Sequence, residues 1–134
     1  ISSTSATTIA LTDATGFPLA GLVLIGSEAV SYTGITDNTL TGCTRGASYL
    51  ITDASTSTTA ATHSSGAAVT CFTIVVTDSG HGALQGDYVT FSGAVSLGGN
   101  ITADVLNAEY RIQSVEDSST YTIRAQSFSD STLA

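Results

Sequence analysis

Short runs of β-favouring residues, each ended after about ten residues by Gly, Asn or Asp, are the feature that most constrains this chain's fold. No stretch repeats apolar residues at the i, i+3, i+4 and i+7 spacing of an amphipathic helix. We predict strands at residues 8–12, 21–25, 29–32, 38–41, 67–77, 88–91, 110–115 and 120–125. The pattern indicates an all-β protein of small antiparallel sandwich or barrel-like modules, with at most one short helix near 102–109.

The two halves of the chain resemble each other at an offset of 65 residues. Residues 8–31 match residues 73–96 at 10 of 24 positions, including Ala29-Val-Ser31 with Ala94-Val-Ser96. Chains rich in Ser, Thr and Ala also match themselves by chance, so unrelated halves are the alternative. We predict two β-modules, residues 1–66 and 67–134, the second carrying an insertion at about 97–109.

Three polar segments stand apart from these strands. Residues 52–62 lack large apolar side chains, which predicts a long surface loop of the first module or an arm that pairs with a neighbouring subunit. The two ends, residues 1–7 and 126–134, have strand-compatible compositions. We predict that they extend onto adjacent subunits by strand addition.

The charge balance excludes several partners. The chain has no Lys and three Arg against eleven acidic residues, a net charge of -8. This charge repels phosphate backbones and anionic membrane surfaces, so we expect neither nucleic acid nor membrane as a partner. No apolar run approaches the roughly 20 residues of a membrane-spanning helix.

Residues that could carry catalysis are scattered. No Gly-x-Ser-x-Gly elbow is present, and nothing in the sequence ties either potential base, His63 or His81, to a nucleophile. A zinc site from these two histidines with Cys43 and Cys71 would match no zinc-ligand spacing. We therefore predict no enzyme, no metal and no cofactor.

Two pairs of residues are open to a structural interpretation. Cys43 and Cys71 either form a disulfide or remain free core thiols, and we favour free thiols. Arg45 follows a strand in a chain with few cations. It is either an anchor between subunits or modules, forking to a carboxylate such as Glu28, or an exposed turn residue.

Several motifs resemble a module that recurs in tailed-phage virion proteins. They are Gly21-Leu-Val-Leu-Ile-Gly-Ser-Glu-Ala-Val-Ser-Tyr-Thr-Gly34, Leu40-Thr-Gly-Cys-Thr-Arg-Gly46, Ala61-Thr-His-Ser-Ser-Gly-Ala-Ala-Val69 and His81-Gly-Ala-Leu-Gln-Gly-Asp-Tyr-Val-Thr-Phe-Ser-Gly93. The resemblance implies a virion or extracellular structural protein of a phage tail, fibre or capsid decoration. Its partners would be copies of itself and other virion proteins.

Two other functions are compatible with the sequence. One is a subunit of a cellular extracellular filament or surface layer, which the low-charge composition fits nearly as well. The other is a carbohydrate-binding adhesin module, which needs exposed aromatic side chains for stacking on sugars. The chain has no Trp, and Tyr49 is the only obvious candidate for that contact, so the indication of a glycan partner is weak.

Overall fold

The computed structural model describes residues 1–51, 54–98 and 100–134, and over these residues the predicted all-β fold is confirmed. The strands are β1 (Thr8–Ala10), β2 (Gly21–Ile25), β3 (Glu28–Tyr32), β4 (Gly34–Thr36), β5 (Thr39–Thr41), β6 (Tyr49–Ile51), β7 (Ala54–Thr56), β8 (Ala68–Thr77), β9 (Tyr88–Thr90), β10 (Glu109–Asp117) and β11 (Thr120–Thr132). One helix, α1 (Ala103–Leu106), lies inside the predicted range, and the Thr102 hydroxyl caps it by accepting from the Val105 N–H. No described helix is long and apolar enough to cross a membrane.

The described strands form three antiparallel sheets. The largest has the order β3-β2-β8-β11-β10-β9, and the others are β1-β5-β4 and the β6–β7 hairpin. Strand β8 joins the two halves of the chain, because it pairs with β2 on one side and with β11 on the other. Residues from both halves therefore build one continuous sheet.

Two apolar cores lie against this sheet. The first contains Ile9, Leu11, Phe17, Val23, Ile25, Val30, Tyr32, Leu40, Cys43, Val69, Cys71 and Leu133. The second contains Ile74, Ile101, Leu106, Tyr110, Ile112, Tyr121, Ile123 and Ala125. Each fully buried Ile, Leu or Val side chain contributes about 1.5–3 kcal/mol to stability. The first core takes Val69, Cys71 and Leu133 from beyond residue 66. The proposed division into modules 1–66 and 67–134 stays a prediction.

The two ends of the chain are bound within it, which corrects their expected role as extended arms. Strand β11 continues to Thr132 and pairs with the first part of β8, and Leu133 is buried in the first core. At the other end, the Ile1 ammonium donates to the His63 carbonyl. The start of β8 needs a hydrogen-bonding partner, and the C-terminal residues supply it.

The polar segment predicted as a long loop at 52–62 is also partly ordered by pairing. Thr52 and Asp53 lie outside the described residues, while β7 pairs with β6 from Ala54 onward. Thr58 then bridges two backbone groups, accepting from the Ala29 N–H and donating to the Ala47 carbonyl. Hydrogen bonds, rather than apolar packing, fix this part of the segment, so its low hydrophobicity did not indicate its structure.

The two halves share part of their topology. In the sheet β1-β5-β4 of the first half, the strand that comes last in the chain lies between the other two. The same holds in the second half, where β11 lies between β8 and β10. Strand β9 occupies the positions that match part of β2 at the 65-residue offset. Residues 94–96, which match part of β3, form no strand. Strand β2 lies in a different sheet from β1, whereas β9 lies in the same sheet as β8. Duplication therefore stays a prediction, with clear differences between the halves.

Candidate functional site

A buried carboxylate on β3 is the centre of the most extensive polar cluster. Glu28 is 1% exposed and receives a two-pronged ion pair from Arg45, with Nε–Oε1 at 2.7 Å and Nη2–Oε2 at 2.8 Å. The backbone N–H groups of Gly46 and Ala61 donate to the same carboxylate at 3.0 Å each. His63 Nε2 lies 2.7 Å from Oε2, and it is the donor because a carboxylate only accepts.

The same cluster holds distant segments of the chain together. Arg45 also donates from Nη1 to the Ser3 carbonyl at 2.6 Å and from Nη2 to the Ala61 carbonyl at 2.5 Å. It thus joins the N-terminal segment, the turn after β5 and the segment that follows β7. The expected fork from Arg45 to Glu28 is present, and both residues belong to one chain. A role between subunits or modules stays a prediction.

Hydrogen bonding keeps Glu28 ionised despite its burial. Burial by itself raises the pKa of this carboxyl. The hydrogen bonds from Arg45, then Ala61, His63 and Gly46, outweigh burial and lower the pKa from 4.5 to about 2. A buried carboxylate with this pKa and five hydrogen-bond donors is unsuited to exchange protons with a substrate near neutral pH. We therefore assign Glu28 a structural role.

The two cysteines are free, buried thiols. Burial raises the pKa of Cys71 to about 11, with weaker opposing hydrogen bonds from Tyr32 and backbone groups. Burial also raises the pKa of Cys43, although the Arg45 charge opposes it. Since the thiolate is the reactive form, neither side chain has the properties of a nucleophile in the folded protein.

His81 is bound to backbone groups of its own loop and of the end of β10. Its Nδ1 accepts from the Ala83 N–H at 2.9 Å, so Nε2 is the donor to the Asp117 carbonyl at 3.0 Å. Within the described ranges, no three His, Cys, Asp or Glu side chains are grouped as metal ligands.

The two edges of the six-stranded sheet differ. At β3, Ser31 and Thr44 exchange backbone hydrogen bonds, and the Ala29 carbonyl accepts from Ala47 while its N–H is bound by Thr58. Additional chain therefore covers this edge. Covered edges do not recruit partner strands.

Strand β9 forms the opposite edge and is open. Asp87 and Phe91 flank β9. They bond to Ile112 of β10, through Ile112 N–Asp87 O at 2.8 Å, and to Ala108 just before β10, through Phe91 N–Ala108 O at 3.1 Å. By strand alternation, the backbone groups of Tyr88 and Thr90 point away from β10, and no described residue bonds to them. Three exposed apolar side chains lie on or near this strand in the sequence: Leu84 at 70%, Tyr88 at 67% and Val95 at 78%.

A cleft of about 500 Å³ lies over one face of the same sheet. Ser31 on β3 pairs with Leu22 on β2, Leu22 pairs with Thr73 on β8, and Thr73 pairs with Arg124 on β11. These four residues form one row across the floor of the cleft. Because Ile74 and Ile123 face the second core, their neighbours Thr73 and Arg124 point to the opposite face. Tyr49 and other residues around the β6–β7 hairpin form a further wall.

Two polar side chains of this cleft have unmet hydrogen-bonding groups. Arg124 Nη1 and Gln113 Oε1 are buried, and neither atom bonds to any described residue. The Arg124 guanidinium carbon lies 4.0 Å from the centre of the Phe72 ring, a cation–π contact that fixes its position. Sequence reasoning did not select either residue. The available signal was Arg124 itself, a cation inside a predicted strand of a chain with only three.

Comparison of the chain with protein-family models, with curated proteins and with solved structures found no match. The resemblance to tailed-phage virion modules gains no support from them and stays a prediction.

Proposed function

We propose that this protein is a non-enzymatic structural module of a virion, or of another extracellular assembly, and that it packs against copies of itself through β9. The observation that carries the proposal is the open backbone edge of this strand, at Tyr88 and Thr90. An open edge presents unpaired N–H and C=O groups that can pair with a strand of another chain.

Two features beside the edge favour pairing between identical copies. First, an antiparallel contact between two β9 strands is symmetric, so one surface serves both partners. Second, the exposed side chains of Leu84, Tyr88 and Val95 offer apolar area that pairing could bury. The chain has no Lys, the residue that commonly protects such edges.

The experiment is to place a charge on the edge and measure the size of the assembly. Tyr88→Lys puts a cation on the outermost strand, and Leu19→Lys is the matched control. Leu19 is 78% exposed, matches Leu84 in the repeat and precedes the internal strand β2. Both variants add one positive charge to a chain of net charge -8, so general repulsion falls equally in both.

We expect the unmodified chain and Leu19→Lys to sediment as dimers or larger species, and Tyr88→Lys to sediment as a monomer. Higher salt should strengthen the association of the unmodified chain, because it screens repulsion between acidic copies. A monomeric unmodified chain at high concentration and high salt would refute the proposal. Equal assembly of both variants would refute the role of β9.

A further inference from the structure

We propose that the cleft over the six-stranded sheet is a binding site for a carboxylate-bearing sugar, with the carboxylate on Arg124 and a sugar hydroxyl donating to Gln113. This inference goes beyond the proposed structural function and does not depend on self-association. It rests on the shape of the cleft, its two unmet polar groups and the chemistry of its walls.

The charge of Arg124 is the first feature of the cleft that selects a ligand. Neither of the two ion pairs in the described part of the chain involves Arg124, and its Nη1 is buried without an acceptor. Arg124 as a whole is half-buried, and a partly buried guanidinium is stabilised by an anion, of which a carboxylate matches its donors geometrically. Arg124 therefore indicates an anionic ligand.

The charges around the cleft favour a ligand with a single negative charge. Among the described residues that line the cleft, Arg124 is the only cation, and Glu116 lines it as well. The protein as a whole carries a net charge of -8. A phosphate dianion or a nucleic acid would meet more repulsion than one guanidinium offsets, whereas one carboxylate forms a balanced pair.

The other polar groups of the cleft are suited to hydroxyls. Gln113 Oε1 is a buried acceptor that needs a donor, and a hydroxyl supplies one. Ser31, Thr33, Ser48 and Thr73 contribute hydroxyl groups to the lining of the cleft. Such a lining suits a ligand rich in hydroxyls.

The cleft also has an apolar side. Tyr49 lines it and is partly exposed, so its ring can contact the C–H face of a sugar. Leu22 and Val75 on the floor give further apolar contact. The volume of about 500 Å³ falls within the usual range of roughly 300–1,000 Å³ for small-ligand sites. A single hexuronic acid residue combines one carboxylate, several hydroxyls and an apolar C–H face in a molecule of this size.

The test is a titration of the isotope-labelled protein followed by NMR, with sodium galacturonate as the probe. Galactose tests the sugar without the carboxylate, sodium acetate tests the carboxylate alone, and inorganic phosphate tests a general anion site. We expect saturable shifts at the cleft residues with galacturonate only. Tighter binding of trigalacturonate would identify a polymer as the source of the ligand, and equal binding would identify the free sugar.

Variants locate the site. Arg124→Gln should weaken galacturonate binding by about 10-fold or more, since a charge-assisted hydrogen bond is lost. Arg111→Gln removes the same charge from β10 outside the cleft lining and should bind as the unmodified chain does. Thermal unfolding of both variants shows whether they are folded.

Several results would overturn the inference. Equal binding of galactose would remove the role of the carboxylate, and equal binding of acetate would remove the role of the sugar. Preferred binding of phosphate, unchanged binding by folded Arg124→Gln, or no shift at tens of millimolar galacturonate would each reject the site. None of these results bears on the size measurement for Tyr88→Lys, so the two proposals fail separately.

Discussion

Replacement of Glu28 by Gln tests the physical reasoning about the buried cluster. The substitution keeps the shape of the side chain and removes its charge. The carboxylate now accepts from Arg45, Gly46, Ala61 and His63. In Glu28→Gln one oxygen becomes an NH₂ donor. Oε2 faces three donors, on Arg45, Ala61 and His63. An NH₂ group in the place of this oxygen would point its own hydrogens at those donors.

Two independent estimates give the size of the effect. A carboxyl whose pKa falls from 4.5 to about 2 on folding is stabilised by about 3 kcal/mol when ionised. Loss of one partner from a buried ion pair typically costs about 3–5 kcal/mol. We therefore expect Glu28→Gln to lower the free energy of unfolding by about 3 kcal/mol at pH 7.

The pH dependence identifies the cause. The folded-state pKa of Glu28 is depressed, so its contribution is fully present above about pH 4.5 and is lost as the pH falls towards about 2. Urea unfolding of both proteins from pH 7 to pH 2 should therefore show a stability difference that shrinks with acidification. The unmodified chain loses the contribution in this window, whereas the variant never had it.

The matched control is Glu109→Gln, on an exposed glutamate of β10. It should change the free energy of unfolding by less than about 0.5 kcal/mol, as is usual for surface substitutions. If Glu28→Gln were as stable as the unmodified chain at pH 7, the cluster would not stabilise the fold. A stability difference that stayed constant down to pH 2 would show that lost packing, and not lost charge, causes the effect.

Two further predictions concern the first core. Tyr32→Phe should lower the free energy of unfolding by about 1 kcal/mol in urea, because the Tyr32 hydroxyl donates to the Pro18 carbonyl at 2.7 Å in a buried site; an unchanged midpoint would contradict this. Cys71, whose pKa burial raises to about 11, should react with a thiol reagent at pH 8 only after urea unfolds the chain, whereas fast labelling of the folded protein would show that its site is open.

Much of the fold was predictable because its strands are amphipathic or apolar. Strand β2 matches the predicted range, and β3, β8 and β9 differ from theirs by a residue at one end. Each of these runs contains β-branched or aromatic residues and is ended by turn residues, so local sequence determines them. The fork from Arg45 to Glu28 was predictable for a similar reason, since one of three cations stood at a turn beside a short list of carboxylates.

Features that depend on long-range pairing were not predictable. The second part of β11 is polar, and β8 stabilises it through hydrogen bonds to residues about 60 positions away. Strand β7 is also polar, and it is held by its local hairpin with β6 and not by apolar packing. The floor of the cleft places Arg124 and Ser31 in one row across four strands, although 93 positions separate them in the chain. Hydrophobic periodicity does not indicate which distant residues will share a row of the sheet, since it reports only which face of a strand is buried.

The buried cluster also explains why the two edges of the large sheet differ. Glu28 binds the turn at Arg45 and the segment at Ala61, and these chain segments lie beside β3 and cover its edge. At the 65-residue offset, the position that matches Glu28 is Gly93, which has no side chain to bind a covering segment.

The sequence Ala-Val-Ser nevertheless follows both positions, with opposite results. In the first half it forms part of β3, and Val30 is fully buried. In the second half it forms no strand, and Val95 is 78% exposed. The apolar pattern alone is thus insufficient to close an edge, because the strand also needs a fixed cover. The Glu28 carboxylate, which binds the covering segments in the first half, has no counterpart at Gly93 in the second, and this difference contributes to one covered edge and one open edge.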